Sequence, residues 1–399
     1  MALLPLRTLS VAAALDNDAS RCRHARTMAD RAKILDLMTE RVLATRAEIG
    51  DGWPSVAGPK SGRWHTTKNP DWCAGYWIEM LRIAGERTGD WDLYLDAAAR
   101  TARLSDWLNR PTMFRAPLFF YAAGRLYETL SDRATRVMAL AAAYAGRSAV
   151  MPSTGAVAVG LDVIKGVKGD TIVSIESVLG AVQLDWWALR ETGDATFLDG
   201  AERQLTLTKT DFIREGGSTA ELVSYDAEGR PKRSHSVHGV SAKSCWSRGH
   251  AMAIAGFLRA WEETGAQDWL DAAQRLLDYW WAHTDDDGIP AYDFAEADNP
   301  KAPRDTAAAA ILAEALARLR VMDELPEDAA GLTKPLDLLV ESLAHRMTPL
   351  APDDGRPAGM LLDGCANKPQ GAATRHELVW GDYHLYAALH CLDVGGLPC

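Results

Sequence analysis

The residues best suited to chemistry cluster around one stretch, "CWSRGHAMAIAGF" (245–257), where Trp246, Arg248 and His250 crowd the start of an apolar helix. A flat indole offers a face for a sugar ring, and a guanidinium offers a two-pronged grip on a carboxylate. An imidazole on the first helical turn extends that polar face. Upstream, His238 in "SVHGVS" sits beside a glycine in a long loop, and Glu221 lies earlier in the same loop. Long irregular segments inside a compact domain carry function more often than packing.

Composition narrows the class. The chain has 399 residues and a net charge of −11, and no basic cluster offers the footprint that nucleic acid requires. No apolar run approaches the length of a membrane span. The start, "MALLPLRTLSVAAALDND", lacks a basic residue ahead of its apolar run, and Arg7 interrupts that run. Residues 1–24 therefore read as an irregular arm, residues 25–399 as one domain, and the cytoplasm as the location. The six cysteines form no CxxC pair and no zinc spacing, so they read as free thiols. Asp285, Asp286 and Asp287 read as an acidic turn. Neither a metal nor a cofactor is expected.

The elements that position the site repeat. "GYWIEMLRIAGERTGDWDLYLDAAART" (75–101), "AVQLDWWALRETGDATFLDGAER" (181–203) and "AIAGFLRAWEETGAQDWLDAAQR" (253–275) share one pattern. Each has an apolar helix, a Thr-Gly stop, an aromatic-Leu step and an Ala-rich helix, which spells a helical hairpin with a tight turn. Weaker copies run over 116–143 and 306–329, with a lead helix near 25–48 and a final one near 381–392. Unequal spacing favours a closed ring over an open solenoid. The expected fold is all-α, an (α/α)6 barrel with long loops (49–71, 152–175, 214–245, 284–305) forming a cleft at one end. A short β-hairpin is expected within 214–245, turning at Glu228-Gly229. Trp72 suits a cleft wall, Trp64 the rim, and Trp77 the core. Asp293 and Asp305 read as caps.

Five segments in order carry a family resemblance: "WCAGYWIEMLRIAGERTG", "SCWSRGHAMAIAGFLRAWEETG", "DDDGIPAYDF", "PRDTAAAAILAEALARL" and "WGDYHLYAAL". The chain resembles the unsaturated glucuronyl hydrolases and unsaturated rhamnogalacturonyl hydrolases (glycoside hydrolase families 88 and 105), as a divergent member. The resemblance implies hydrolysis of a terminal unsaturated uronic acid. A carboxylic acid protonates the enol ether, water adds to the adjacent carbon, and the hemiketal opens and releases the aglycone.

The resemblance places Glu176 in "SIESVLG" at the position of the main catalytic aspartate, with Asp170 in "VKGDTIVS" the alternative acid or a turn cap. The second carboxylate falls near "DWLNRPTMFRAPLFF", where Asp106 is the nearest acid. Trp246 and Arg248 match. His250 replaces a glutamine, Met252 a tryptophan and His238 a glutamine, while Glu221 stands near an expected histidine. A saccharide or glycosylated metabolite is the expected partner, bound by a monomer or homodimer. Two alternatives stay open. One is a divergent enzyme acting on a saturated uronide or performing a non-glycosidic hydration or elimination. The other is a non-catalytic sugar-binding protein.

Overall fold

The computed structural model describes residues 30–160 and 169–395; the expected arm at 1–24 lies outside the described residues. After α1 (30–49), a β-hairpin of β1 (Trp53–Ala57) and β2 (Trp64–Thr67) leads into α2 (Ala74–Thr88) and α3 (Trp91–Ala102). Next, α4 (Arg115–Phe119) runs through one π-helical turn (Phe120–Gly124) into α5 (Arg125–Leu130), followed by α6 (Arg133–Ser148). Strand β3 (Ile172–Ser174) feeds α7 (Ser177–Thr192) and α8 (Ala195–Leu207). The hairpin β4 (Leu222–Tyr225) and β5 (Pro231–His235) precedes α9 (Ser247–Thr264) and α10 (Gln267–Ala282). The chain closes with α11 (Thr306–Arg320), α12 (Glu327–Leu332), α13 (Leu336–Ala344), the short β6 (Glu377–Leu378) and α14 (Val379–Val394).

The helices form two concentric rings. The inner helices α2, α4, α7, α9, α11 and α14 pack each on the next, and α14 returns to α2 to close the circle. Apolar residues surround most of their circumference, as a helix enclosed on all sides requires. The outer helices are amphipathic and bury a single stripe. Helix α1 pairs with α14 as the sixth hairpin, joined by Thr39 and the Tyr386 hydroxyl at 2.9 Å. Arg87 of α2 reaches Asp36 on α1 (2.8 Å) and Asp393 on α14 (2.9 Å). This is the (α/α)6 barrel expected from the repeats.

The repeated Thr-Gly stop has one physical basis in all three hairpins. Thr88, Thr192 and Thr264 donate their hydroxyls to the carbonyl four residues back, at 2.7 Å each. The same hydroxyls accept the N–H two residues on, at 3.2 Å. Gly89, Gly193 and Gly265 take the left-handed conformation (φ 65–70°) that ends the helix. Asp90 and Asp194 then cap the next helix by accepting from Asp92 N and Thr196 N, an arrangement worth about 1 kcal/mol each.

The inner helices share a direction, so the two ends of the barrel differ. At their C-terminal end, ion pairs plug the axis: Glu79 with Arg82 (2.8 Å) and Arg125 (3.3 Å), and Glu262 with Arg259 (2.9 Å) and Arg318 (3.0 Å). Two three-stranded sheets, ordered β2-β1-β6 and β3-β4-β5, and the long loops build up the other end. Among the described residues no helix is long and apolar enough to cross a membrane.

Candidate active site

At the N-terminal end of the inner helices lies a cavity of about 680 Å³, within the range of small-ligand sites. Its wall draws on the starts of successive inner helices: Trp72 just before α2, Phe114 at the cap of α4, Glu176 at the cap of α7, Arg248 in the first turn of α9 and Trp380 in the first turn of α14. Helix N-termini carry partial positive charge, so their convergence favours an anionic ligand. Trp72 is stacked on Phe114 (centroids 5.1 Å apart) and leans on Trp380 (4.8 Å), which makes a continuous aromatic wall.

The β3-β4-β5 sheet brings the acid groups together. Strand β3 ends at Ser174, and Ile175 N donates to Glu221 O at 2.9 Å, so Glu221 lies beside the turn that presents Glu176. Strands β4 and β5 pair with Leu222 opposite His235, which returns the chain to Glu221 just before His238. The hairpin turns through Glu228 and Gly229, as expected.

Glu176 is half-buried on the cavity wall, and its side chain caps nothing. Burial pushes its carboxyl above the ordinary range; the nearby His238 and Arg248 offset part of that, and Glu221 adds to it. A carboxyl in that state keeps a proton available for catalysis.

Glu221 is buried behind His238 rather than on the wall. Its carboxylate accepts from His238 Nδ1 (2.7 Å), Ser236 Oγ (2.5 Å) and Val237 N (3.0 Å). Burial alone would raise its pKa; the His238 contact and the other donors outweigh burial and hold it below the usual range. His238 itself lines the cavity.

Several expected site residues lie elsewhere or do something else. Trp246 is buried and lies outside the cavity lining; it backs His238 and abuts Gly249, so it offers no open sugar platform. Arg248 lines the cavity but spends most of its fork inside the protein. Its Nη1 donates to Asp305 Oδ2 (2.7 Å) and Cys365 O (2.8 Å), and its Nη2 to Ala366 O (2.8 Å). It is first a clamp joining α9, α11 and the 365–366 loop, with three of its five N–H donors spent there. His250 is fully buried, with Nδ1 at 3.2 Å from Thr219 Oγ1 and Nε2 at 2.9 Å from Leu276 O. It ties α9 to α10 and belongs to the core. Burial drives its pKa down to about 4.

Trp64 is also buried, its indole donating to Thr45 Oγ1 at 2.9 Å, and forms no part of the cavity wall. Asp170 is exposed in a short 3-10 turn away from the cavity lining, which removes it as the acid. Asp106 is likewise exposed and off the wall. Trp72 lines the wall and Trp77 is core, as expected. Asp293 and Asp305 are the caps expected of them.

The second acid on the wall is Asp71, which the sequence reading missed. It accepts from Cys73 N (3.0 Å) and Cys73 Sγ (2.9 Å) at the start of α2. Trp107, Arg110 and His376 also line the cavity without having been singled out. Trp380 was within reach, because it opens the matched segment "WGDYHLYAAL". Asp382 and Tyr383 of that segment are buried behind it. Among the described residues no group of three His, Cys, Asp or Glu side chains is arranged to hold a metal ion.

No family model matches the chain. An unsaturated glucuronyl hydrolase of Bacillus sp. (strain GL1) is 28% identical over 367 residues, 87% of this chain and 93% of the relative. An unsaturated chondroitin disaccharide hydrolase of Streptococcus pyogenes serotype M1 is 24% identical over 90% of both chains. The crystal structure of the Bacillus sp. GL1 unsaturated glucuronyl hydrolase superposes with a TM-score of 0.79 over 89% of this chain and 94% of that one, at 24% identity. The chain is thus similar over most of its length to unsaturated glucuronyl hydrolases and shares their fold. The crystal structure of an unsaturated glucuronyl hydrolase from Streptococcus agalactiae shares the fold at a TM-score of 0.81 with 19% identity, over 91% of each chain.

Proposed function

We propose that this enzyme removes a terminal unsaturated uronic acid from a saccharide or glycosylated metabolite by hydrating its enol ether. Glu176 is the acid: its carboxyl protonates the double bond, water adds to the neighbouring ring carbon, and the hemiketal opens and releases the aglycone. The observation carrying this reading is a single desolvated carboxyl, unencumbered by caps, on the wall of the cavity. Direct displacement at an anomeric carbon calls for two facing carboxyl groups. The other acid on this wall, Asp71, accepts from Cys73 N and Sγ through its Oδ1. Hydration asks for one proton donor and a water.

The remaining features fit an anionic ring. Helix N-termini and the Arg248 guanidinium favour a carboxylate, and the Trp72–Phe114–Trp380 wall offers apolar contact to a ring face. The same reading keeps a cytoplasmic location, supported by the buried thiols of Cys73, Cys245 and Cys365, which form no disulfide. The test is loss of ultraviolet absorbance from a panel of unsaturated uronyl disaccharides, since the conjugated enol ether absorbs and its hydrated product does not. Decay with the wild type and none with Glu176→Gln is the expected result. An active Glu176→Gln would remove Glu176 from its role.

A further inference from the structure

Enol-ether hydration moves two protons, one onto the double bond and one off the attacking water. Glu176 supplies the first. The geometry points to His238, oriented by Glu221, as the group that takes the second. This inference rests on the hydration reading above.

The two buried-side histidines of this region make the argument by contrast. His250 has both ring nitrogens satisfied, by Thr219 and Leu276 O, as a structural histidine does. His238 has one satisfied. Its Nδ1 meets Glu221 Oε1 at 2.7 Å, and a carboxylate only accepts, so Nδ1 carries the hydrogen. In the neutral ring the lone pair is then on Nε2, which makes no hydrogen bond among the described residues and belongs to a side chain on the cavity wall. Stacking on Trp246, at 4.4 Å between centroids and 14° between planes, fixes the ring. Glu221 is too enclosed to meet substrate, because Ser236 Oγ and the backbone N–H groups of Val237, His238 and Gly239 surround its carboxylate. It is a positioning residue of the kind that sets tautomer and ring orientation behind a working imidazole.

The step balances. Glu176 gives its proton to C4, and the C4=C5 π electrons form the new C–H bond. C5, now an oxocarbenium with the ring oxygen, accepts the lone pair of water. The water proton passes to His238 Nε2. Proton return from the imidazolium to the Glu176 carboxylate resets both groups, which line the same cavity.

The experiment follows enol-ether absorbance with wild type, Glu176→Gln, His238→Ala, His238→Gln and Glu221→Gln, each checked for native circular dichroism. His238→Ala is expected to lose roughly 100-fold or more in kcat with KM nearly unchanged, the range for a general base. Added imidazole is expected to restore its rate in proportion to the unprotonated imidazole present, which no structural defect would do. Glu221→Gln is expected to lower kcat without raising KM. Should His238→Ala not fold, His238→Gln keeps a planar polar group against Trp246; wild-type kcat in that variant overturns the proposal. An active wild type with inactive Glu176→Gln but unimpaired His238→Ala overturns the role of His238 and leaves the hydration reading standing. A wild type that consumes none of the panel overturns both.

Discussion

His238 and Trp246 lie ring on ring, 4.4 Å apart and within 14° of parallel, at the junction of the β5 loop and α9. The indole therefore acts on the cavity through the imidazole rather than through a ligand. It also packs beneath the Arg248 guanidinium at 4.8 Å. Trp246→Ala should cost about 3–5 kcal/mol of stability, as for a large buried aromatic. Denaturant unfolding measures that loss. Turnover by the folded fraction should fall through kcat, because His238 loses its seat, while ligand affinity changes little.

Glu176 has a stability signature as well as a catalytic one. Its folded-state pKa is raised, so the folded protein holds this proton more tightly than the unfolded chain does. Its contribution is therefore most favourable at low pH and is lost as pH rises from the ordinary carboxylate value through the folded pKa. Glu176→Gln should match the wild type in unfolding free energy near pH 4 and exceed it near pH 8. Equal pH dependence in the two proteins would contradict the raised pKa.

His250 works in the opposite sense. With a folded pKa near 4 against an ordinary value of 6.5, it is neutral in the fold and charged in the unfolded chain at intermediate pH. Stability from this residue is present above about pH 6.5 and drains away down to about pH 4, on the order of 3 kcal/mol in all. His250→Gln should be less stable than the wild type at pH 7, yet its unfolding free energy should decline less between pH 6.5 and 4.

The Arg248–Asp305 pair is buried on both sides. Burial raises the Asp305 pKa, while Arg248 and the backbone N–H groups of Cys365, Ala307 and Ala308 oppose the rise. Removing one partner leaves the other charged and unpaired, a change that costs about 3–5 kcal/mol. Asp305→Asn should show this in thermal unfolding. Arg248→Lys should be nearly as harmful, because one ammonium cannot reach Asp305, Cys365 O and Ala366 O in the fork geometry.

The barrel was legible because its signals are local. A Thr-Gly stop followed by a cap writes each hairpin into about twenty-five residues, and the hydroxyl and αL geometry at Thr88-Gly89 repeats at Thr192-Gly193 and Thr264-Gly265. Glu176, His238 and Trp72, pointed to by resemblance and loop position, all line the cavity. Roles were harder to read than positions. Nothing local in "CWSRGH" says that Arg248 turns toward Asp305, 57 residues on, or that His250 points between α9 and α10. An imidazole at the mouth of a helix reads the same whether its nitrogens are spent or free. Asp71 was hidden for a similar reason, since its neighbour Cys73 makes it look like any helix-start acid.

The sixth hairpin joins helices from opposite ends of the described chain, α1 and α14, with Asp36 and Asp393 sharing Arg87. A nascent polypeptide therefore emerges from the ribosome with five-sixths of a ring and an open seam. Until α14 arrives, Tyr386 and Trp380 are missing from the interface and from the aromatic wall, and the apolar flanks of α2 and α11 face water. The aromatic wall of the cavity is therefore complete only once α14, the last inner helix in chain order, has joined the ring.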